Sequence, residues 1–286
     1  MKILDGKNLS AVIKDEVLAG ASSYKKTPIL AVISIGHDSA SEIYVNNKKK
    51  ACEYVGISFL HVSYEENVSE DKIIKKIKSL NKDDTINGIM LQLPIPEKFD
   101  KEKLLNTISP EKDVDGLGHV AQSRLLEGNP TFIPCTTKGI MAIFDYYKID
   151  LSGKNVCIIG RSNLVGKPTM IECLNRDATC TICHSKTKNL SKYTKEADIL
   201  IVCTGHKYLI DKTMVKKDVV IIDVGISREN GHIYGDVNPN VEELCSYITP
   251  VPGGVGPMTV AMLLKNTFIA YKRQNGIEDE QWSNRT

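Results

Sequence analysis

Lys48 sits where a lysine could move protons. In the segment "SEIYVNNKKKACEYVG", positions 44, 48, 51, 52 and 55 follow helical spacing, and four of them are Tyr44, Ala51, Cys52 and Val55. A lysine one turn from an aromatic ring on an inward face is partly desolvated, which lowers its pKa toward values useful in acid–base chemistry. The same pattern suits a lysine that buries its stem and keeps its ammonium in water. Lys49 and Lys50 point elsewhere and read as solvated. Two other segments could serve the same chemistry. "MLQLPIP" (90–96) ends a strand in Gln92 and two prolines, and "KDVDG" (112–116) sets Asp113 and Asp115 two apart before a glycine. Amides and carboxylates at strand ends can read a heterocycle by hydrogen bonds. Equally, the first can be a strand stop and the second an Asx-type turn. Oxygen-ligated cations generally need more carboxylates than cluster here, so no metal is expected.

A second group of residues suits phosphates. In "GRSNLVGKP" (160–168) an apolar strand ends at Gly160, and a helix begins near Gly166. A doubly wound fold presents backbone N–H groups and a helix N-terminus to a pyrophosphate at such a place. The spacing G-x-S-x-x-x-G departs from G-x-G-x-x-G and also suits an ordinary strand-to-helix turn. About 20 residues further on, where NAD-binding sites usually place a carboxylate for the ribose 2′-hydroxyl, the chain reads "CHSKT". His184, Ser185, Lys186 and Thr187 offer donors and positive charge, with Arg161 available from the earlier loop, so a 2′-phosphate is favoured and NADP is the expected cofactor. A solvated polar turn is the plainer alternative.

The elements that must position these residues alternate. "ILAVISIG" (29–36) reads as a buried strand, followed by a helix from about Ser39 to near Gly56, a strand near 58–64, a helix over 70–80 and the strand "INGIMLQL" (86–93). Residues 109–136, with prolines at 110, 130 and 134, lose the rhythm and read as irregular chain. A second series follows: "NVCIIG", a helix near 166–175, "ATCTIC", "ADILIVCTG" and "DVVIIDVGI". The expected fold is α/β in two domains, an N-terminal catalytic domain over 1–138 and a Rossmann-type doubly wound domain over 139–257. A final helix over about 258–275 could belong to either, and 276–286 reads as a frayed tail. The segment "TPVPGGVGPMTV" (249–260) holds three prolines and three glycines, so regular structure is not expected through Gly256.

Bulk properties narrow the function classes. The 286 residues carry 37 basic and 35 acidic side chains for a formal net charge of +2. That balance gives no field to recruit nucleic acid or an anionic membrane. No apolar run reaches signal-peptide or membrane-spanning length, and the expected location is cytoplasmic. The eight cysteines are scattered, mostly in apolar segments, as suits reduced thiols. Cys180 and Cys183 form a lone CxxC on an expected strand, where residues three apart face opposite sides, a poor metal or redox pair.

Taken in order, "YVNNK", "LQLPIP", "KDVDG", "PCTTKG", "GRSNLVGKP", "HSKTKNL", "IIDVGI", "GDV" and "TPVPGGVGPMT" closely resemble the bifunctional methylenetetrahydrofolate dehydrogenase/methenyltetrahydrofolate cyclohydrolase family, often called FolD. The resemblance runs to about residue 272. It implies NADP-dependent oxidation of 5,10-methylenetetrahydrofolate, then hydrolysis to 10-formyltetrahydrofolate, by a homodimer with the folate in a cleft between two α/β domains. On this resemblance Tyr44 stacks on the folate, Lys48 is the acid–base group of hydrolysis, Gln92 tunes Lys48 and Asp115 holds the pterin. Gly160, Arg161 and Ser162 cradle the cofactor phosphates, with Ser185 nearby and Ile226 beside the cofactor. Pro252, Gly253 and Gly254 lie in a segment that borders both ligands. Two departures stand out. Ala121, Gln122 and Ser123 replace the family's usual Asn-x-Gly, and Thr137 replaces the usual proline of "PCTP". Other readings are a dehydrogenase without hydrolase activity, using NAD, and a non-catalytic NADP- or folate-binding module. A shikimate-type dehydrogenase would share the two-domain plan, but the folate-loop motifs count against it.

Overall fold

The computed structural model describes residues 1–36 and 39–277; the expected tail lies, beyond Ile277, outside the described residues. Among these residues the first elements are β1 (Lys2–Ile3), α1 (Gly6–Ser22), β2 (Ile29–Ile35), α2 (Ser39–Tyr54), β3 (Ser58–Tyr64), α3 (Glu70–Lys82), β4 (Gly88–Leu91), α4 (Lys101–Thr107), α5 (His119–Leu126) and α6 (Cys135–Tyr146). The chain continues as β5 (Asn155–Ile159), α7 (Gly166–Leu174), β6 (Thr179–Cys183), α8 (Leu190–Glu196), β7 (Ile199–Val202), β8 (Val219–Asp223), β9 (Ser227–Glu229), β10 (His232–Tyr234), β11 (Cys245–Ile248) and α9 (Val255–Gln274). It divides into two compact units, 11–135 with 260–286, and 1–10 with 136–259. No described helix is long and apolar enough to cross a membrane.

In the first of these units, three parallel strands pair in the order β3-β2-β4. Central β2 is apolar at every position but Ser34 because both its faces are covered, and Leu30, Ala31, Val32 and Ile33 are fully buried. Helix α3 keeps its apolar stripe inward at Ile73, Ile77 and Leu80, with Glu70 and Asp71 in its first turn and Lys82 in its last, as the helix dipole favours. From α9 this unit takes Phe268 and Tyr271, whose rings pack with that of Tyr24.

The stretch expected to be irregular, 109–136, contains α5 and the start of α6. Ala121 and Leu125, four apart, bury one side of α5, and Gln122 Nε2 donates to Leu117 O at 2.9 Å. Two helical turns with one buried pair leave too short a pattern to be read among prolines and glycines. The departures at 121–123 are therefore helical residues, with Ala121 buried and Ser123 exposed.

In the other unit, a sheet of six parallel strands runs in the order β1-β11-β8-β7-β5-β6 among the described residues. The chain lays β6 on one side of β5 and β7 on the other, so the strand order reverses at β5. In open α/β sheets that reversal opens a crevice at the carboxyl ends of the strands, where ligands bind. The first ten residues, expected in the N-terminal domain, cluster here because β1 adds an edge strand: Lys2 pairs with Tyr247, and Ile3 with Ile248. A two-residue strand has no periodicity to betray it.

Helix α9 begins at Val255, inside the segment expected to resist regular structure. Gly256 and Pro257 fall in its first turn, where proline lacks only an N–H that would have no intrahelical partner. Thr137, the residue in place of proline, lies in α6 and its hydroxyl meets that of Thr169 on α7 at 3.0 Å, both fully buried. Thr137→Val keeps the shape but strands the Thr169 hydroxyl, and should cost about 1–2 kcal/mol in denaturant unfolding; an unchanged midpoint would deny the pair any weight.

Candidate functional site

The inward face of α2 is set by Val45, Lys48 and Cys52, and Val55 continues it just past the helix end; all four are buried. Lys48 is only 6% exposed, whereas Tyr44, one turn earlier, is 36% exposed. The Lys48 Nζ donates to Gln92 Oε1 at 2.6 Å. Gln92 is aimed by its neighbours: its backbone N–H continues the β2–β4 ladder to Ile33 O at 2.8 Å, and its Nε2 donates to Leu93 O at 2.7 Å, which turns Oε1 toward the lysine. Burial pushes the Lys48 ammonium below the ordinary lysine range, and the nearby Asp115 carboxylate pulls it partly back. Asp115 is itself pushed upward by burial, against the opposing pull of Lys48. A lysine, an amide and a carboxylate from three separate segments thus form one acid–base cluster, with Lys48 and Gln92 buried and Asp115 half-buried.

The two aspartates of "KDVDG" divide the alternatives left open by the sequence. Asp113 is the turn former: its carboxylate accepts from the N–H groups of Gly116 at 3.1 Å and Gly118 at 2.8 Å, and burial raises it to about 6. Asp115 faces Lys48. Sequence reasoning missed what holds this turn. Asn266, fully buried on α9, donates through Nδ2 to Val114 O at 2.9 Å and Ile133 O at 3.3 Å, and Cys135 Sγ donates to Val114 O at 3.3 Å. An asparagine inside the apolar run "AMLLKNTFIAY" was the available signal.

The turn after β5 is equally well defined. Gly160 has φ +123° and packs on Cys203, while a Cβ at Gly166 would lie 2.1 Å from Gly160 O. The two glycines let the chain cross itself tightly before α7. Ser162 Oγ accepts from Val165 N at 3.1 Å, so this side chain organises the helix entry. Arg161 and Ser162 are exposed at the strands' carboxyl edge. After β6, His184 N donates to Thr187 Oγ1 at 2.9 Å and Lys186 N to His184 Nδ1 at 3.2 Å, folding the turn on itself with Ser185 and Lys186 outward. No carboxylate stands in this turn, so the donor set suits the phosphate of NADP better than a bare ribose.

Ile226, 43% exposed, follows β8. Pro252, Gly253 and Gly254 belong to the same unit. Their loop is held by the chain itself: Lys7 N donates to Gly253 O at 2.8 Å, and a Cβ on Gly6 would lie 2.0 Å from Gly254 O. Gly253 takes φ +111°, and a Cβ on Gly254 would lie 2.7 Å from Pro250 O, so both glycines answer to the loop's own backbone, a need independent of any ligand. Among the described residues no group of three or more His, Cys, Asp or Glu could hold a metal ion.

Comparison with known proteins extends these observations to nearly the whole chain. The family model for the tetrahydrofolate dehydrogenase/cyclohydrolase catalytic domain matches residues 4–115, and that for its NAD(P)-binding domain matches 134–275. The bifunctional protein FolD of Campylobacter hominis is 50% identical over 279 residues, covering 96% of this chain and 98% of that protein. The crystal structure of the bifunctional enzyme FolD, methylenetetrahydrofolate dehydrogenase/cyclohydrolase, from Campylobacter jejuni has a TM-score of 0.94 at 46% identity, over 96% of this chain and 99% of that one. The Trypanosoma brucei dehydrogenase-cyclohydrolase, solved with NADP and an inhibitor, has a TM-score of 0.90 at 33% identity, over 95% of this chain and 97% of that one. The chain therefore belongs to the tetrahydrofolate dehydrogenase/cyclohydrolase family.

Proposed function

We propose that this protein oxidises 5,10-methylenetetrahydrofolate to the methenyl form with NADP, then hydrolyses that product to 10-formyltetrahydrofolate. The observation that carries the reading is the buried Lys48 held by Gln92 at 2.6 Å beside Asp115, within the unit that carries the catalytic-domain match. NADP suits the other unit because its glycine crossing exposes a strand-to-helix turn and its second turn carries cations and hydroxyls in place of a carboxylate. Gly160, Arg161, Ser162 and Ser185 would hold it, with Ile226 alongside. Bound there, NADP supplies the hydride acceptor for the one-carbon bridge, whose flanking nitrogens stabilise the cation left behind.

Hydrolysis falls to the protein's own residues. Lys48, whose charged form burial disfavours, takes a proton from water as the C–O bond forms at the methenyl carbon. It returns a proton to a ring nitrogen as that C–N bond breaks, and the remaining hydroxyl proton leaves to solvent as the formyl group forms. Gln92 keeps the Nζ in place through both transfers. Asp115 stabilises the ammonium between them and offers a carboxylate to the N–H groups of the pterin, while the exposed ring of Tyr44 provides a stacking surface. A homodimer working in the cytoplasm is part of this reading, supported by the family resemblance, and light scattering on the purified protein tests its first half.

One spectrophotometric assay that follows NADPH and methenyltetrahydrofolate separately tests the activity. Both species should appear with NADP, and the methenyl signal should then decay. NAD should be poorer by about tenfold or more in kcat/KM, the ratio that about 1.4 kcal/mol of charge-assisted bonding to the 2′-phosphate would give. Equal rates with both cofactors would remove Arg161 and Ser185 from the phosphate site, and NADPH formation without methenyl decay would leave a dehydrogenase alone.

A further inference from the structure

Two buried carboxylates at the carboxyl edge of the large sheet have no part in the roles described so far. Asp223 ends β8, and its oxygens accept from Gly225 N at 3.1 Å, Asp236 N at 3.0 Å and Val237 N at 3.0 Å. It therefore folds the chain that returns after the β9–β10 hairpin onto the end of β8. Asp236, fully buried, reaches onward from that returning segment. Its Oδ2 accepts three bonds from the turn after β7: Thr204 N at 2.6 Å, Thr204 Oγ1 at 2.8 Å and Gly205 N at 3.1 Å. Its Oδ1 is buried against Gly225, where a Cβ would lie only 1.9 Å away, and makes no hydrogen bond among the described residues. Gly235 is pressed on Asp223 in the same way, with a Cβ position 1.9 Å from Oδ2. Ser227 Oγ closes the arrangement by donating to Gly205 O at 3.0 Å.

A buried carboxylate with one oxygen unsatisfied is costly, and such costs are retained where a fixed geometry is needed. Here the geometry is that of two turns, 203–206 and 224–226, at the carboxyl ends of neighbouring strands, the edge where doubly wound sheets bind ligands. We propose that Asp236 is a positioning residue of the cofactor site: by tying the turn after β7 to the turn after β8, it holds Thr204, Gly205 and Ile226 as one rigid wall for the nicotinamide cofactor. Asp223 is the second brace, fixing the segment from which Asp236 reaches. The proposal rests on the reading that this unit binds NADP.

The bifunctional reaction supplies its own control, because hydrolysis of methenyltetrahydrofolate uses no cofactor. Asp236→Ala should raise KM for NADP by about tenfold or more, while hydrolysis of added methenyltetrahydrofolate keeps the wild-type rate. Asp236→Asn retains one oxygen for the Thr204 and Gly205 donors and should recover most of the lost affinity, which a requirement for bulk alone would not distinguish from other isosteres such as Asp236→Leu. An unchanged KM in Asp236→Ala overturns the proposal. So does a parallel fall of both activities with a lowered melting temperature, which would make the brace a matter of overall stability. Failure of the wild-type protein itself to reduce NADP would instead overturn the cofactor reading beneath it.

Discussion

Lys48→Met is expected to abolish hydrolysis of methenyltetrahydrofolate, a loss of about 10²–10⁴-fold, the usual worth of a positioned acid–base group. The substitution keeps the unbranched stem on the buried face of α2 and removes the ammonium that burial already disfavours. The protein should fold, because the relieved desolvation offsets part of what Gln92 and Asp115 lose with the ammonium, and it should still bind folate and NADP. Gln92 Oε1 loses its donor, a cost confined to one hydrogen bond. Stopped-flow decay of the methenyl absorbance, with ligand binding measured on the same protein, checks the prediction; normal hydrolysis would remove Lys48 from the reaction. The wild-type rate should also rise with pH as Lys48 loses its proton, since the attacking water needs a neutral amine, and the variant should lack that limb.

Gly166→Val should do the reverse. Any Cβ at this position meets Gly160 O at 2.1 Å, Gly160 C at 2.6 Å and Arg161 N at 3.0 Å, all backbone atoms that cannot swing aside. The turn after β5 must open, moving Arg161 and Ser162 together with the first N–H groups of α7. A misplacement of this size costs about 100-fold in a reaction that depends on alignment, so NADP-dependent oxidation should fall by that order while hydrolysis continues. Paired assays on one preparation give the answer, and an unaltered KM for NADP would show that the cofactor does not use this turn. The two variants should thus separate the activities, each disabling the one that the other leaves intact.

Much of this could be read from residue order. Apolar runs at 29–36 and 155–160 became β2 and β5 because buried parallel strands are apolar on both faces. The inward position of Lys48 followed from its spacing to Cys52 and Val55, both fully buried. Spacing was less reliable for Tyr44, since Val45 takes the buried place on that turn. Helix α5 and the start of α9 at Val255 were hidden because glycine and proline are read as breakers, although both are at ease in a helix's first turn.

By itself the sequence determined the two α/β series, the inward lysine, the glycine-spaced turn and the absence of a carboxylate after β6, because each is a local pattern of type and spacing. Only the tertiary structure decided which aspartate of "KDVDG" faces Lys48 and which folds the turn. It alone revealed that Asn266, 152 positions from Val114, holds that turn, and that Asp236 reaches 32 positions back to grip Thr204. Such bonds depend on which strands become neighbours. That is settled by how whole faces are buried, and no local spacing records it.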